Sequence, residues 1–226
     1  MNVVHYWTSA NSREGSQTVP EPETLPGRVD RRKQKTRQKV VATAMRLFRH
    51  RGFDAVTMEQ IAEAADIAKG TLYSHFPVKE AIVAAYLDQE SLARNADRIV
   101  RMRRLPDTRT RLTASLAELV EAVRAQPEIF EKYFTYRTQQ MISLRRESNR
   151  VSGLRNLEGE IIRLGQEQGE LRTDLPFELL EALFEFSFII VAQRYYQAPG
   201  DFDAAGTIRQ CVELFMNGAG TKGLET

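Results

Sequence analysis

Cysteine is nearly absent from this chain: Cys211 is the only one, so no disulfide can form within it. This composition is typical of proteins that work in a reducing compartment. The first residues contain no apolar run of the kind that marks a secretory signal. The longest apolar stretch, residues 179–193, is too short to cross a bilayer and includes Glu181 and Glu185. We therefore expect a cytoplasmic protein with no membrane partner.

Histidine is scarce as well, and the usual signatures of catalysis are missing. The chain has only His5, His50 and His75, and these three and Cys211 form no metal-ligand spacing and no nucleophile–base pair. It also has no glycine-rich loop of the kind that holds phosphate groups. The sequence therefore predicts a protein that is not an enzyme and that holds no metal and no cofactor.

The overall charge is small, but its distribution is uneven. The formal net charge is +2, while the segment Arg28–Arg51 contains ten Lys or Arg and one acidic residue, Asp30. A basic block on a nearly neutral protein indicates that one end of the molecule meets a polyanion. The alternative is a solvated basic arm, and charge alone does not choose between the two.

The hydrophobic periodicity is helical along the whole chain after a polar, proline-rich tail over residues 1–29, which we expect to be disordered. No alternating strand pattern occurs, so we predict an all-α fold of about nine helices. A first helix ends at Gly52, Thr57 caps a second, the third covers Lys69–His75, and Pro77 separates it from a fourth that ends near Arg104. The remaining predicted helices cover 108–125, 128–145, 149–168, 175–197 and a last one from Asp201 or Asp203 to Met216.

Residues 57–76 form the most informative segment. Two short helical patterns meet across a turn of about three residues, which is the spacing of a helix-turn-helix. The second pattern exposes small residues and hydrogen-bond donors, which suit close approach to phosphates and base edges. A surface helical hairpin with ordinary polar decoration is the alternative.

The segment from Arg37 to Leu87 resembles the TetR/AcrR family of one-component transcriptional regulators. The resemblance rests on the blocks RQKVVATAMRLFRHRGFDAVTMEQIAEAA and IAKGTLYSHFPVKEAIVAAYL. It implies a DNA-binding domain over 30–80, a ligand-binding and dimerisation domain over 81–226, and contacts from these residues to double-stranded operator DNA: Thr57, Lys69, Gly70, Thr71, Tyr73, His75 and Lys79, with Arg31, Arg32 and Lys35 just before the first helix.

Two positions depart from the family pattern. Asp66 stands where a turn glycine is usual, and Ala68 stands where Ser or Thr usually begins the recognition helix. Ala68 has no side-chain oxygen to cap the helix, which costs about 1 kcal/mol relative to Ser. Asp66 serves as the cap instead if the helix begins earlier.

The second half of the chain carries the expected regulatory features. The helix over 175–197 is apolar on nearly every side, so one face must be covered by something other than its own domain, or the helix is central to the core. We expect a homodimer that uses Phe186, Ile190, Tyr195, Ile208, Val212 and Phe215. We expect an apolar pocket for an unidentified small-molecule effector to be lined by Met102, Phe130, Tyr133, Phe134, Arg137, Met141, Phe184 and Phe188.

The sequence thus predicts a dimeric repressor that a small molecule releases from a near-palindromic operator. A DNA-binding dimer without an effector, either non-specific or architectural, is the alternative.

Overall fold

The computed structural model describes residues 28–142 and 153–220. Across these residues the chain is helical and contains no strand, apart from one isolated bridge between Leu171 and Gly220. The all-α prediction is confirmed. The nine helices of the described ranges are α1 (Arg28–Arg51), α2 (Met58–Ala64), α3 (Lys69–His75), α4 (Lys79–Arg103), α5 (Thr108–Ala125), α6 (Pro127–Ile142), α7 (Gly153–Glu167), α8 (Phe177–Gln197) and α9 (Ala204–Ala219).

The first three helices form a small unit around one apolar core. The core contains one face of α1 with the buried residues Ile61, Leu72 and Phe76, as expected from the sequence. Gly52 adopts a φ of +80°, which ends α1 in a backbone conformation that suits glycine. The chain then turns so that the Phe53 and Phe48 rings pack 4.9 Å apart.

The long helix α4 connects this unit to the rest of the chain. It packs on α1 at one end and on α6 and α7 along its length, while its contact with α5 is sparse. Its C-terminal end is held by Arg111, whose guanidinium donates to the carbonyl oxygens of Met102 and Leu105. Any displacement of α4 therefore reaches the small unit directly. The domain boundary near residue 80 stays a prediction, because α4 runs through it without interruption.

The remaining helices form a bundle in which α5 packs on α7, α8 and α9. Aspartate side chains fix two of the helix starts. Asp107 accepts a hydrogen bond from the Thr110 N–H at 2.7 Å, and Asp203 accepts one from the Gly206 N–H at 2.9 Å. Of the two caps considered for α9, Asp203 is therefore the one used.

A few helix limits differ from the sequence-based expectation. Helix α1 begins at Arg28, so the last two residues of the expected disordered tail are helical; the rest of that tail, residues 1–27, lies outside the described residues. Helix α9 continues three residues beyond Met216. The expected join between the sixth and seventh helices falls within residues 143–152, which are likewise not described.

Candidate nucleic-acid interface and ligand cleft

The N-terminus of α2 is fixed by a reciprocal pair of hydrogen bonds. The Thr57 hydroxyl oxygen accepts from the Gln60 N–H at 3.2 Å, and the Thr57 N–H donates to Gln60 Oε1 at 3.0 Å. This is a capping box, and it leaves the hydroxyl hydrogen of Thr57 to donate elsewhere. Thr57 is exposed, so the predicted DNA contact and the cap can coexist.

The turn between α2 and α3 contains both departures from the family pattern. Asp66 has a φ of +50°, so it adopts the left-handed conformation for which glycine is usual. Asp tolerates this conformation better than most residues do. Helix α3 begins at Lys69 with Ala68 as its N-cap, and no side chain bonds that end. Capping by Asp66 from an earlier start is therefore wrong, and the cap is missing.

Helix α3 buries one side chain and presents the others. Leu72 faces the core, whereas Lys69, Gly70, Thr71, Tyr73 and Ser74 are exposed. A Cβ atom added at Gly70 would meet nothing within 4 Å, so the surface there is open to a close approach. The backbone of Gly70 is not in the left-handed region, so its conformation does not require glycine. What the glycine provides is an unobstructed surface at this position.

Glu59, which the sequence analysis missed, lies on the same surface. The Tyr73 hydroxyl donates to Glu59 Oε1 at 3.3 Å across the gap between α3 and α2. A hydrogen bond from its own backbone N–H, with a smaller contribution from the charge of Lys69, lowers the pKa of Glu59. A carboxylate therefore stands beside two of the predicted DNA-binding residues.

Two of the predicted DNA-binding residues, Lys79 and His75, have partners within the protein. Lys79 Nζ donates to the Phe53 carbonyl oxygen at 2.9 Å and lies 4.4 Å from the centre of the Phe53 ring. The ammonium ties the loop after α1 to the start of α4, and the DNA contact of Lys79 stays a prediction. His75 is half-buried, and its carbonyl oxygen accepts from Arg37, whose guanidinium stacks 4.2 Å over Phe76.

The basic arm is helical. Arg31, Arg32 and Lys35 are exposed on the first turns of α1, and their expected position before the first helix is wrong. Lys, Arg and Gln are good helix formers, so α1 continues outward beyond its apolar stripe until the proline and glycine at 26 and 27. Because the first turns of α1 lack apolar periodicity, the sequence pattern did not predict that they are helical.

Most of the residues predicted to line the effector pocket are packed against one another and do not border a sizeable cavity. Phe130, Tyr133 and Phe134 are buried and pack ring against ring, and Arg137 forms an ion pair with Glu185. Tyr133, Phe134, Arg137 and Phe188 border a gap of only about 10 Å³. Met102 and Phe184 are buried outside it, and Met141 is half-buried near the end of α6.

A much larger cleft, of about 970 Å³, lies between α4, α5 and α9. Only Phe130 and Phe188 of the predicted set reach it. Its apolar side chains are Leu87, Leu119, Val120, Phe130, Phe188 and Ile208, and its charged side chains are Arg94, Asp97, Arg98, Arg101, Glu118, Glu121 and Arg124. The volume lies within the range of small-molecule sites.

The expected dimer surface divides into an outer and an inner set. Leu179, Leu183, Phe186 and Ile190 are about half-exposed and follow one face of α8 at intervals of three and four residues. Ile208, Val212 and Phe215 are instead buried within the chain, where Phe215 packs 5.3 Å from Phe184, so the expectation that they face a partner is revised. Tyr195 is partly buried against Tyr196 and Phe202.

In residues 28–142 and 153–220 no helix is long and apolar enough to span a membrane. Over the same residues no group of His, Cys, Asp and Glu is arranged to hold a metal ion.

Helix α3 is short, packs on α2, and exposes hydrogen-bond donors together with Gly70. This arrangement is that of a helix-turn-helix DNA-binding protein. Residues 40–86 match the family model described as bacterial regulatory proteins, tetR family. The chain therefore contains a DNA-binding unit of the tetR-family type.

Relatives extend the match beyond the DNA-binding unit. The HTH-type transcriptional repressor KstR2 of Mycolicibacterium smegmatis is 28% identical over 80% of this chain and 89% of its own length. An uncharacterized HTH-type transcriptional regulator of Mycobacterium tuberculosis is also 28% identical, but the chain spans only about half of that relative, 53% of its length.

A solved structure shows the same architecture. The TetR-family transcriptional repressor FadR of Thermus thermophilus, in complex with lauroyl-CoA, superposes with a TM-score of 0.61 at 25% identity, covering 80% of this chain and 94% of that one.

Proposed function

We propose that this protein is a homodimeric transcriptional repressor that binds a near-palindromic operator through α2 and α3 and is released by a small-molecule effector. The surface of α3 carries the proposal. Leu72 anchors the helix in the core, while the residues around the open position at Gly70 project from it. A helix presented in this way enters a major groove with its N-terminal residues toward the bases.

The residues have distinct roles in this proposal. Thr57 donates to a phosphate, and Tyr73 does so once its hydroxyl turns away from Glu59. Lys69 and Thr71 reach base edges or the adjacent backbone where Gly70 allows a close approach. His75 lies at the edge of the contact. Exposed cations at the start of α1 extend it along flanking phosphates, and these are Arg31, Arg32 and Lys35.

Dimerisation follows from the reach of one module and from the surface of α8. A single recognition helix reads only a few base pairs, so specific binding needs two copies spaced by about one DNA turn or a multiple of it. The half-exposed apolar stripe from Leu179 to Ile190 supports a self-complementary interface between copies, because such a stripe on a monomer would leave a hydrophobic surface in water.

The cleft of about 970 Å³ favours the effector-controlled function over an effector-free DNA-binding dimer. Helix α4 forms one wall of this cleft and also packs on α1 of the DNA-binding unit. A ligand that fits only one position of α4 therefore shifts the spacing of the two recognition helices. The lauroyl-CoA bound to the Thermus thermophilus repressor supports ligand control in this architecture.

Fluorescence anisotropy tests the proposal. A labelled duplex selected by the protein from a random pool and a scrambled duplex of equal length are titrated at several salt concentrations. We expect the selected duplex to bind at least a thousandfold more tightly. Equal affinity for both duplexes, with the same steep salt dependence, would instead identify a non-specific DNA-coating protein.

A further inference from the structure

The cleft between α4 and α5 has a polar tie across it. Both carboxylate oxygens of Glu118 on α5 are used by arginines of α4: Arg98 Nε lies 2.7 Å from Oε2, and Arg101 Nη2 lies 3.1 Å from Oε1. Arg98 also donates to the Ser91 hydroxyl at 3.3 Å. Because α4 and α5 touch only sparsely elsewhere, these ion pairs are a main connection between the two walls.

The two sides of this tie differ in their access to water. The Arg98 side chain is only 12% exposed, whereas that of Glu118 is 35% exposed. An arginine remains charged at all relevant pH values, so a nearly buried one needs an anionic partner. If a ligand parts the walls, Glu118 can be hydrated at the mouth of the cleft, but Arg98 cannot without a replacement anion. A cationic ligand would pair with Glu118 and leave Arg98 buried alone, which is the costlier arrangement.

The deeper lining determines the rest of the ligand. The apolar part of the lining consists of five side chains: Leu119 and Val120 of α5, with Phe130, Phe188 and Ile208. The charged residues are grouped on α4 and on the adjoining face of α5. A chain of apolar atoms joined to one acidic head matches this division.

We infer that the cleft binds an anionic amphiphile, a long apolar chain with a carboxylate or phosphate head, and that the head replaces Glu118 as the partner of Arg98 and Arg101. The inference rests on the proposed effector control and names its ligand class. Exchange of the ion pairs removes this polar tie across the cleft only in the ligand-bound state, while Arg111 still joins α5 to the C-terminal end of α4. The ligand thereby favours a position of α4 that the free protein rarely adopts.

Calorimetric titration of the full chain separates the parts of the ligand. The probes are lauroyl-CoA, laurate, CoA and dodecyltrimethylammonium, which vary the head and the chain independently. We expect lauroyl-CoA to bind at least tenfold more tightly than CoA, and both acyl anions to bind more tightly than the cation. If lauroyl-CoA binds and laurate does not, the recognised head is a phosphate. If both acyl anions bind, the site accepts a phosphate or a carboxylate head. CoA that binds as tightly as lauroyl-CoA, or a cation that binds as tightly as the tighter of the two acyl anions, overturns the inference.

Variants test the ion-pair exchange. Arg98→Gln weakens the acyl anions about 10- to 100-fold, because a charge-assisted contact is lost. Glu118→Gln strengthens them up to about fivefold, because the competing carboxylate is removed. Arg109→Gln, at an exposed arginine of α5 outside the cleft, leaves the affinity unchanged. If Arg98→Gln and Arg109→Gln behave alike, the exchange is wrong.

Operator binding is measured on the same samples. A protein that binds its operator specifically but takes up none of the acyl anions refutes the ligand class and leaves the proposed DNA-binding function standing. A protein that binds no operator specifically refutes the proposed function, whatever the cleft binds. Operator binding by Arg98→Gln also shows that this variant is folded.

Discussion

Arg111 should be among the most important polar residues for stability. It is only 1% exposed. Its guanidinium donates to the carbonyl oxygens of Met102 at 3.2 Å and Leu105 at 2.9 Å, and to Gln168 Oε1 at 2.7 Å. The first two contacts hold the end of α4, where the helix dipole favours a cation, and at Met102 the guanidinium adds to a backbone hydrogen bond from the Leu105 N–H. The third joins that end to the residue after α7.

Replacing Arg111 with Met keeps most of the buried aliphatic volume and removes three hydrogen bonds. At about 1 kcal/mol each, the free energy of unfolding falls by about 3 kcal/mol. For a chain of this size the melting temperature drops by about 6–12 °C. Urea titration and thermal melting followed by circular dichroism measure both quantities.

Arg109→Met is the matched control, since the same change is made on the same helix at an exposed side chain. It should alter the free energy of unfolding by no more than about 0.5 kcal/mol. Equal losses in the two variants would refute the account of Arg111 as the anchor of α4.

Three further predictions concern the cap of α3, the surface of α8 and the cap of α5. Ala68→Ser supplies the missing N-cap and should stabilise the protein by about 1 kcal/mol, whereas Ala64→Ser, the same change at the end of α2, should slightly destabilise it; melting shifts of one sign for both would contradict the capping argument. Phe186→Glu should convert dimers to helical monomers in light scattering, and an unchanged mass would exclude this face as the interface. Hydrogen bonds from Thr110 lower the pKa of Asp107, so its ionised form stabilises the fold at neutral pH, and that contribution is lost as the pH falls below about 4. Asp107→Asn keeps a capping oxygen and should therefore lose less stability than the parent between neutral and acidic pH, and parallel pH profiles would contradict this.

Local chemistry explains which features could be predicted from the sequence. The glycine at 52, the capping box at Thr57 and the breaks at Pro77 and Pro106 each act within a few residues, and the helices begin and end close to them. The apolar stripes of α1 to α3 likewise identified the core of the small unit. The turn was less predictable, because Asp66 occupies a left-handed position that residue preference assigns to glycine.

Features that depend on how distant helices meet were not predictable in the same way. Aromatic residues suggested a pocket near Tyr133, but rings that pack against one another leave no space, and the cleft lies elsewhere. A sequence signal for it existed in the run of small alanines at 114, 117 and 122, which leaves room along α5. The contact of Lys79 within the protein was not predictable for a similar reason, since its partner, the Phe53 carbonyl, is 26 residues away.

Selection of duplexes from a random pool, with the parent protein and Gly70→Glu side by side, tests the central claim most directly. The substitution places a carboxylate in the open space over α3, at a helix N-terminus where Glu is well tolerated, so the fold is retained. The parent should enrich two inverted half-sites whose centres lie about one helical turn apart or a multiple of it, and the variant should enrich nothing. A parent protein that enriches no sequence, or a variant that enriches the same one, would contradict recognition of DNA by α3.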